Sequence, residues 1–178
     1  MSFSALKLYI VNNLTQFMPP TSLFPMKSFL YRWAGIDIHP TARVVSSANI
    51  WGTAEISIGK DVFISHEVLI TGGGSHIKIG DGAGIGPRSA IINGTHDINT
   101  AVDIYPRGRE FSMPIDIGER VSIYSNVTVC AGVTIGRNAV IGAGSVVLKD
   151  IPEYSFAAGI PCRPIKRWIP GSGWENLR

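Results

Sequence analysis

His96 follows Thr95 and precedes Asp97 in the stretch "AIINGTHDIN", and a neutral imidazole is the side chain best suited to take a proton near pH 7. The spot is distinctive because a six-residue rhythm running through most of the chain stops there, between Ile91 and Ile117, and is replaced by "INGTHDINTAVDIYPRGREFSMPID". An insertion in a repetitive scaffold leaves the stack as a loop, and loops held by rigid scaffolds are common places for sites. An imidazole acting as base needs an acceptor for its other N–H. Asp97 is adjacent in sequence, and Glu110 stands shortly before "MPIDIG" at the far side of the insertion. His39 and His76 fall where turns are expected and read as solvated.

Other chemistries find little support. Gly72–Gly74 form a glycine run, but no lysine and Ser/Thr follow as a phosphate loop requires, so the run reads as a turn. No G-x-S-x-G elbow and no H-E-x-x-H pair occurs. Cys130 and Cys162 have no ligand spacing, and both read as small buried residues in a reducing compartment. The net charge of +3 is too small and scattered for a nucleic-acid groove, and it suits an anionic small molecule better.

The elements that must position these residues follow from the rhythm. From Ile117 the chain reads IGERVS, IYSNVT, VCAGVT, IGRNAV, IGAGSV, VLKDIP, each unit opening on an aliphatic residue. Earlier runs keep the period: Ile38, Val44, Ile50 and Ile56; then Ile58, Ile64 and Ile70; then Ile79, Ile85 and Ile91. Period six fits neither a helix nor a long alternating strand, but it fits a short strand plus a turn, three to a triangular coil. With 178 residues, 45% of them hydrophobic, the chain has room for one all-β solenoid domain over 36–152.

Residues 1–35 are expected to form a helical cap. Leu6, Ile10, Leu14 and Phe17 have helical spacing before Pro19-Pro20, and "SLFPMKSFLYRWAG" predicts a second short helix. The cap would cover the open end of the stack, and a membrane-surface association is the sharper second reading of this segment. The N-terminus lacks both a signal-peptide pattern and an unbroken span, which points to a cytoplasmic protein. Residues 153–178 are punctuated by proline and glycine, so an irregular C-terminal extension, with a short helix or tail from 165, is expected.

The repeat units, "VIGAGSVVLKDIP" and "AAGIPCRPIK" resemble the hexapeptide-repeat acyltransferases, in particular the sugar O-acetyltransferases such as the maltose, galactoside and polysaccharide-biosynthesis enzymes. The resemblance extends over about residues 55–168 and implies a left-handed parallel β-helix with a loop excursion near 97–114. It implies a homotrimer with the donor, acetyl-CoA, laid between subunits, no metal, and transfer to a saccharide or sugar-precursor hydroxyl in surface polysaccharide biosynthesis. It also implies His96 as general base, with Asp97 or Glu110 orienting it. The donor would lie along Gly142, Ala143, Gly144 and Ser145, whose small side chains let a pantetheine arm approach, with Arg163 and Lys166 at the phosphates. His66, Glu67 and Asn93 are the matching acceptor-side candidates. Two departures stand out: Ser122 where relatives carry tryptophan, and Leu148 where they carry threonine. N-acetylation of an amino or nucleotide sugar is the neighbouring alternative. A non-catalytic or zinc-carrying scaffold is the distant one, with His66, His76 and His96 as ligands across a trimer.

Overall fold

The computed structural model describes residues 3–97, 99 and 108–177. Two helices, α1 (Phe3–Gln16) and α2 (Phe24–Trp33), precede a parallel solenoid of about five coils. Each coil has three sides. Side A stacks β1 (Asp37–Ile38), β4 (Glu55–Ile58), β7 (His76–Ile79), β12 (Ile115–Ile117) and β15 (Thr134–Ile135). Side B begins with β2 (Arg43–Val44), β5 (Phe63–Ile64), β8 (Gly84–Ile85), β13 (Ser122–Ile123) and β16 (Val140–Ile141). Side C stacks β3 (Asn49–Gly52), β6 (Leu69–Gly72), β9 (Ala90–Ile92), β14 (Thr128–Val129) and β17 (Val146–Val147). The fold is the left-handed parallel β-helix, whose crossovers depart from the usual right-handed rule.

The aliphatic residue that opens each hexapeptide becomes one rung of an axial column. Ile38, Ile58, Ile79, Ile117 and Ile135 are in register on side A; Val44, Ile64, Ile85, Ile123 and Ile141 on side B; Ile50, Ile70, Ile91, Val129 and Val147 on side C. All are buried. Burial of each such side chain contributes on the order of 1.5–3 kcal/mol, and the hydrogen bonds between coils satisfy the backbone.

The corners share a device that residue types conceal. Asp61, Gly82, Arg120, Asn138 and Tyr154 all turn side A into side B with positive φ, and Glu67, Arg88, Asn126 and Gly144 do so between B and C. Glycine or asparagine would adopt this backbone with least strain, yet glutamate, arginine and tyrosine are held there by the stack. Part of the compensation is visible between coils, where Arg88 Nε donates to Asn126 Oδ1 and Arg120 Nε to Asn138 Oδ1, each at 3.0 Å.

The cap closes the first coil with side chains that replace a missing neighbouring strand. On side C, Asn12 Nδ2 donates to the Ile50 carbonyl at 2.9 Å, and its Oδ1 accepts from the Ile50 N–H at 3.2 Å. Ser28 Oγ donates to Ala42 O at 2.7 Å beside side B, and Arg32 donates to Ile38 O at 3.2 Å on side A. Tyr31, whose hydroxyl burial pushes up to about 12, donates to Asn12 Oδ1. Lys27 is buried and donates to the carbonyls of Pro19 and Pro20, fixing the chain between the helices; burial pulls its ammonium below the ordinary range. Asn12→Ala should therefore lower stability by about 1–3 kcal/mol, because it strands buried backbone groups of Ile50; chemical denaturation measures this directly. A loss within a few tenths of a kcal/mol would mean that the first coil does not depend on Asn12.

The apolar stripe read from the spacing of α1 faces outward. Leu6, Ile10, Leu14 and Phe17 are exposed, while Leu8, Val11, Asn12 and Thr15 face the coil. A coil end offers unpaired peptide groups as well as aliphatic rungs, so a mixed face carrying Asn and Thr packs there better than a uniformly apolar one.

The C-terminal extension also differs. It is not irregular and holds no helix over 165–177: β18 (Ser155–Gly159) pairs in parallel with β16, and β19 (Cys162–Ile169) and β20 (Gly173–Asn176) add antiparallel strands to side B. Proline suggested a break, but Pro161 lies in the β18–β19 turn, and Pro164 pairs with Ala157 beside a register shift, where a missing N–H is tolerated.

Candidate active site

The insertion leaves at the corner between sides C and A of the third coil. Its root is Asn93, which is fully buried. Asn93 Oδ1 accepts from Gly73 N–H at 3.1 Å, and its Nδ2 donates to the carbonyls of Gly73 and Ser75 at 3.3 and 3.1 Å. Gly72 must be glycine here, since a Cβ would overlap the Asn93 side chain. The glycine run thus forms a close-packed corner clamped to the base of the insertion. Asn93, expected on the acceptor side, has its amide fully engaged in that clamp and acts as a support.

From Asn93 the chain rises as β10 (Gly94–Asp97), which pairs antiparallel with β11 (Arg109–Ser112), so the ends of the expected loop form a β-arm. The Met113 N–H closes it on Asn93 O at 3.0 Å. Residues 98 and 100–107, in the part of the excursion expected to select the acceptor, lie outside the described residues.

The arm brings His96 directly opposite Glu110. His96 Nε2 lies 3.4 Å from Glu110 Oε1, with the imidazole 43% and the carboxylate side chain 81% exposed. This is an ion-pair distance, long for a tight hydrogen bond, as is common in sites without substrate. With Nε2–H turned to the carboxylate, the neutral ring presents Nδ1 as the basic nitrogen. Asp97 takes another part: its Oδ1 accepts from the Asn99 N–H at 3.0 Å and from Asn99 Nδ2 at 3.2 Å, an Asx-type turn beyond the strand. Of the two acids, Glu110 is the one in reach of the ring.

The donor-side residues divide. The turn 142–145 lies between β16 and β17, at the B–C corner of the fifth coil. Ala143 and Gly144 are exposed there. Ser145 is buried; its hydroxyl donates to Gly142 O at 2.6 Å and accepts from Gly159 N–H at 3.1 Å, tying the turn to β18. Gly142 is small for packing reasons, because a Cβ would meet Ala158 Cβ at 2.9 Å. Arg163 and Lys166 both lie on β19, and Arg163 donates to Cys162 O at 2.8 Å. Sequence reasoning passed over Arg167 on the same strand, which lines a cleft of about 270 Å³ with Pro164, Glu153 and Leu177; only its place in a basic cluster hinted at it.

His66 and Glu67 are exposed at the B–C corner of the second coil, where His66 Nδ1 lies 3.3 Å from Ser47 Oγ. His76 sits on side A with its Nε2 at 3.2 Å from Asp116. His66, His76 and His96 are thus on three different parts of the coil, and no group of three or more His, Cys, Asp or Glu is placed to hold a metal ion among the described residues. Burial pushes the thiols of Cys130 and Cys162 up, away from nucleophilic use.

The triangular parallel β-helix with two N-terminal helices is the fold of solved hexapeptide-repeat acetyltransferases. Residues 114–149 match the bacterial transferase hexapeptide (six repeats) family. It is 39% identical over 113 residues to the galactoside O-acetyltransferase of Escherichia coli, covering 64% of this chain and 54% of that protein. The galactoside O-acetyltransferase of Lactococcus lactis is 33% identical over 126 residues, covering 71% and 59%. A solved galactoside acetyltransferase in complex with coenzyme A superposes with a TM-score of 0.73 at 29% identity, over 92% of this chain and 80% of that one. The chain spans little more than half the length of these curated relatives.

Proposed function

We propose that the chain is a CoA-dependent acetyltransferase that moves acetyl from acetyl-CoA to a sugar hydroxyl, in the making of a surface polysaccharide, by direct transfer. The observation that carries this reading is the cross-strand His96–Glu110 pair on an arm anchored to the coil. The likeness to galactoside O-acetyltransferases and to a CoA-bound structure supports the donor and the acceptor class.

His96 Nδ1 takes the proton of the acceptor hydroxyl as its oxygen attacks the thioester carbonyl. Glu110 keeps Nε2 protonated and stabilises the imidazolium that forms. The tetrahedral oxyanion collapses, the C–S bond breaks, and the imidazolium returns its proton to the leaving thiolate. No acyl-enzyme is needed, consistent with the buried state of Cys162.

The separation of the candidate residues onto different corners of the solenoid supports assembly as a trimer. His96 stands at a C–A corner, whereas Ala143, Gly144, His66 and Glu67 occupy B–C corners. In a three-fold assembly that sets one chain's C–A corner beside a neighbour's B–C corner, base and donor turn would come from different subunits. Dilution to the monomer should then abolish activity.

Glu110→Gln should lower kcat by about 10- to 100-fold with little change in KM for acetyl-CoA, since an amide cannot stabilise the imidazolium. Thiol release measured over a panel of saccharides and amino sugars tests the whole reading. Hydroxyl-dependent release supports it; release only with amino sugars would move the assignment to N-acetylation, and the absence of acceptor-dependent release would overturn it.

A further inference from the structure

The two cap helices are apolar on the side that faces solvent. On α1 and just beyond it, Leu6, Ile10, Leu14 and Phe17 fall on one stripe with Tyr9 at its margin, and all are exposed, Phe17 at 91%. On α2, Met26, Phe29 and Trp33 form a second stripe, with Phe29 at 60%. The buried sides carry the polar groups Asn12, Thr15, Lys27, Ser28 and Tyr31; Asn12, Lys27, Ser28 and Tyr31 satisfy carbonyls of the first coil and the linker, and Thr15 donates to Asn12 O within α1. A surface helix of a soluble domain shows the reverse arrangement, polar outward and apolar inward. Exposed contiguous apolar surface of this kind marks an interaction site.

Charge and composition indicate what covers it. Residues 1–36 contain not one Asp or Glu, the first acid being Asp37, and of their three bases Lys7 and Arg32 reach the surface while Lys27 is buried. Lys7 Nζ lies 5.0 Å above the Trp33 ring and 3.3 Å from the Trp33 carbonyl, placing a cation at the rim of the apolar stripe. Tyr9 and Trp51 pack at 6.4 Å and add two amphipathic rings near the same end of the solenoid. Exposed aliphatics with Trp, Tyr and Lys at their margin, on a segment that itself holds no acid, fit a negatively charged lipid–water boundary. Neither helix is long enough to cross a bilayer, so the cap would lie in the interface plane.

The geometry points to a membrane-docking surface: the outer face of α1 and α2 seats on anionic phospholipid, with the solenoid standing away from the bilayer. This does not depend on the acetyl-transfer reading.

The test is co-sedimentation of the full chain with vesicles of phosphatidylglycerol and phosphatidylcholine, or of phosphatidylcholine alone. Partitioning about tenfold stronger onto the anionic vesicles, weakening as salt is raised, is expected from Lys7 and Arg32, the two basic groups of the cap that reach the surface. Phe17→Glu combined with Phe29→Glu should lose that partitioning while keeping the thermal midpoint, since both rings are exposed. Trp168→Glu, at the other end of the solenoid, should keep it. Equal partitioning of both vesicle types would overturn the anionic assignment, and none above background would overturn docking altogether. A smaller oligomer for the double variant than for wild type in sedimentation velocity would assign the face to a second copy and also overturn the proposal.

Discussion

His96→Ala is expected to reduce acceptor-dependent thiol release from acetyl-CoA by about 10²- to 10⁴-fold, the range general-base catalysis supplies. The imidazole is exposed on the arm and, among the described residues, supports no backbone group, so the thermal midpoint should stay within a degree or two. Donor affinity should be retained as well, because the proposed donor turn at 142–145 lies at another corner of the coil. A variant that bound CoA and turned over as fast as wild type would remove His96 from the role of base. His96→Asn tests the same point more narrowly, as it keeps a polar side chain of similar reach without a basic nitrogen.

The second large effect is expected at a residue with no chemistry of its own. Gly72→Ala would force a methyl group into the space of Asn93 Oδ1, which is buried and hydrogen-bonded to the next corner residues. Something must shift, and the groups available are the Asn93 amide and the corner backbone beneath it; Gly52 leaves no slack below, since it stacks against the Gly72 carbonyl. Overpacking and a broken buried amide network together should cost about 2–4 kcal/mol of stability. The arm is rooted at Asn93, so activity should fall with stability, by tenfold or more. A double-mutant cycle with Asn93→Ala gives the diagnostic reading: the second substitution removes the obstructing atom, so the two losses should be strongly non-additive. Additive losses would mean that Gly72 and Asn93 do not constrain one another.

The particular elements show where sequence reasoning ran out. The column of Ile and Val residues was legible because a rung recurs every six residues and each must be aliphatic to be buried. The insertion was legible because the period fails across it, and His96 because it sits at the break. The glycine run was visible without its purpose, because Gly72 and Asn93 are 21 residues apart in sequence and meet only when one coil stacks on the next. Asn93 was assigned to the acceptor, since nothing in a single sequence says whether an amide faces a ligand or a backbone.

What the sequence by itself determined is the repeat, its axis-facing residues, the position of the excursion and the identity of the histidine at its base. These are properties of local spacing, and hydrophobic burial leaves them little alternative. Only the tertiary structure decided that Glu110 rather than Asp97 faces the ring, because that choice depends on antiparallel pairing of β10 with β11 across the excursion. It decided that the last residues extend side B as strands, because a chain meeting an open sheet edge satisfies its peptide groups there despite its prolines. It also decided which way the cap helices turn. Their apolar spacing fixed a stripe, but the unpaired carbonyls of the first coil demanded the polar side, and the stripe was left facing outward.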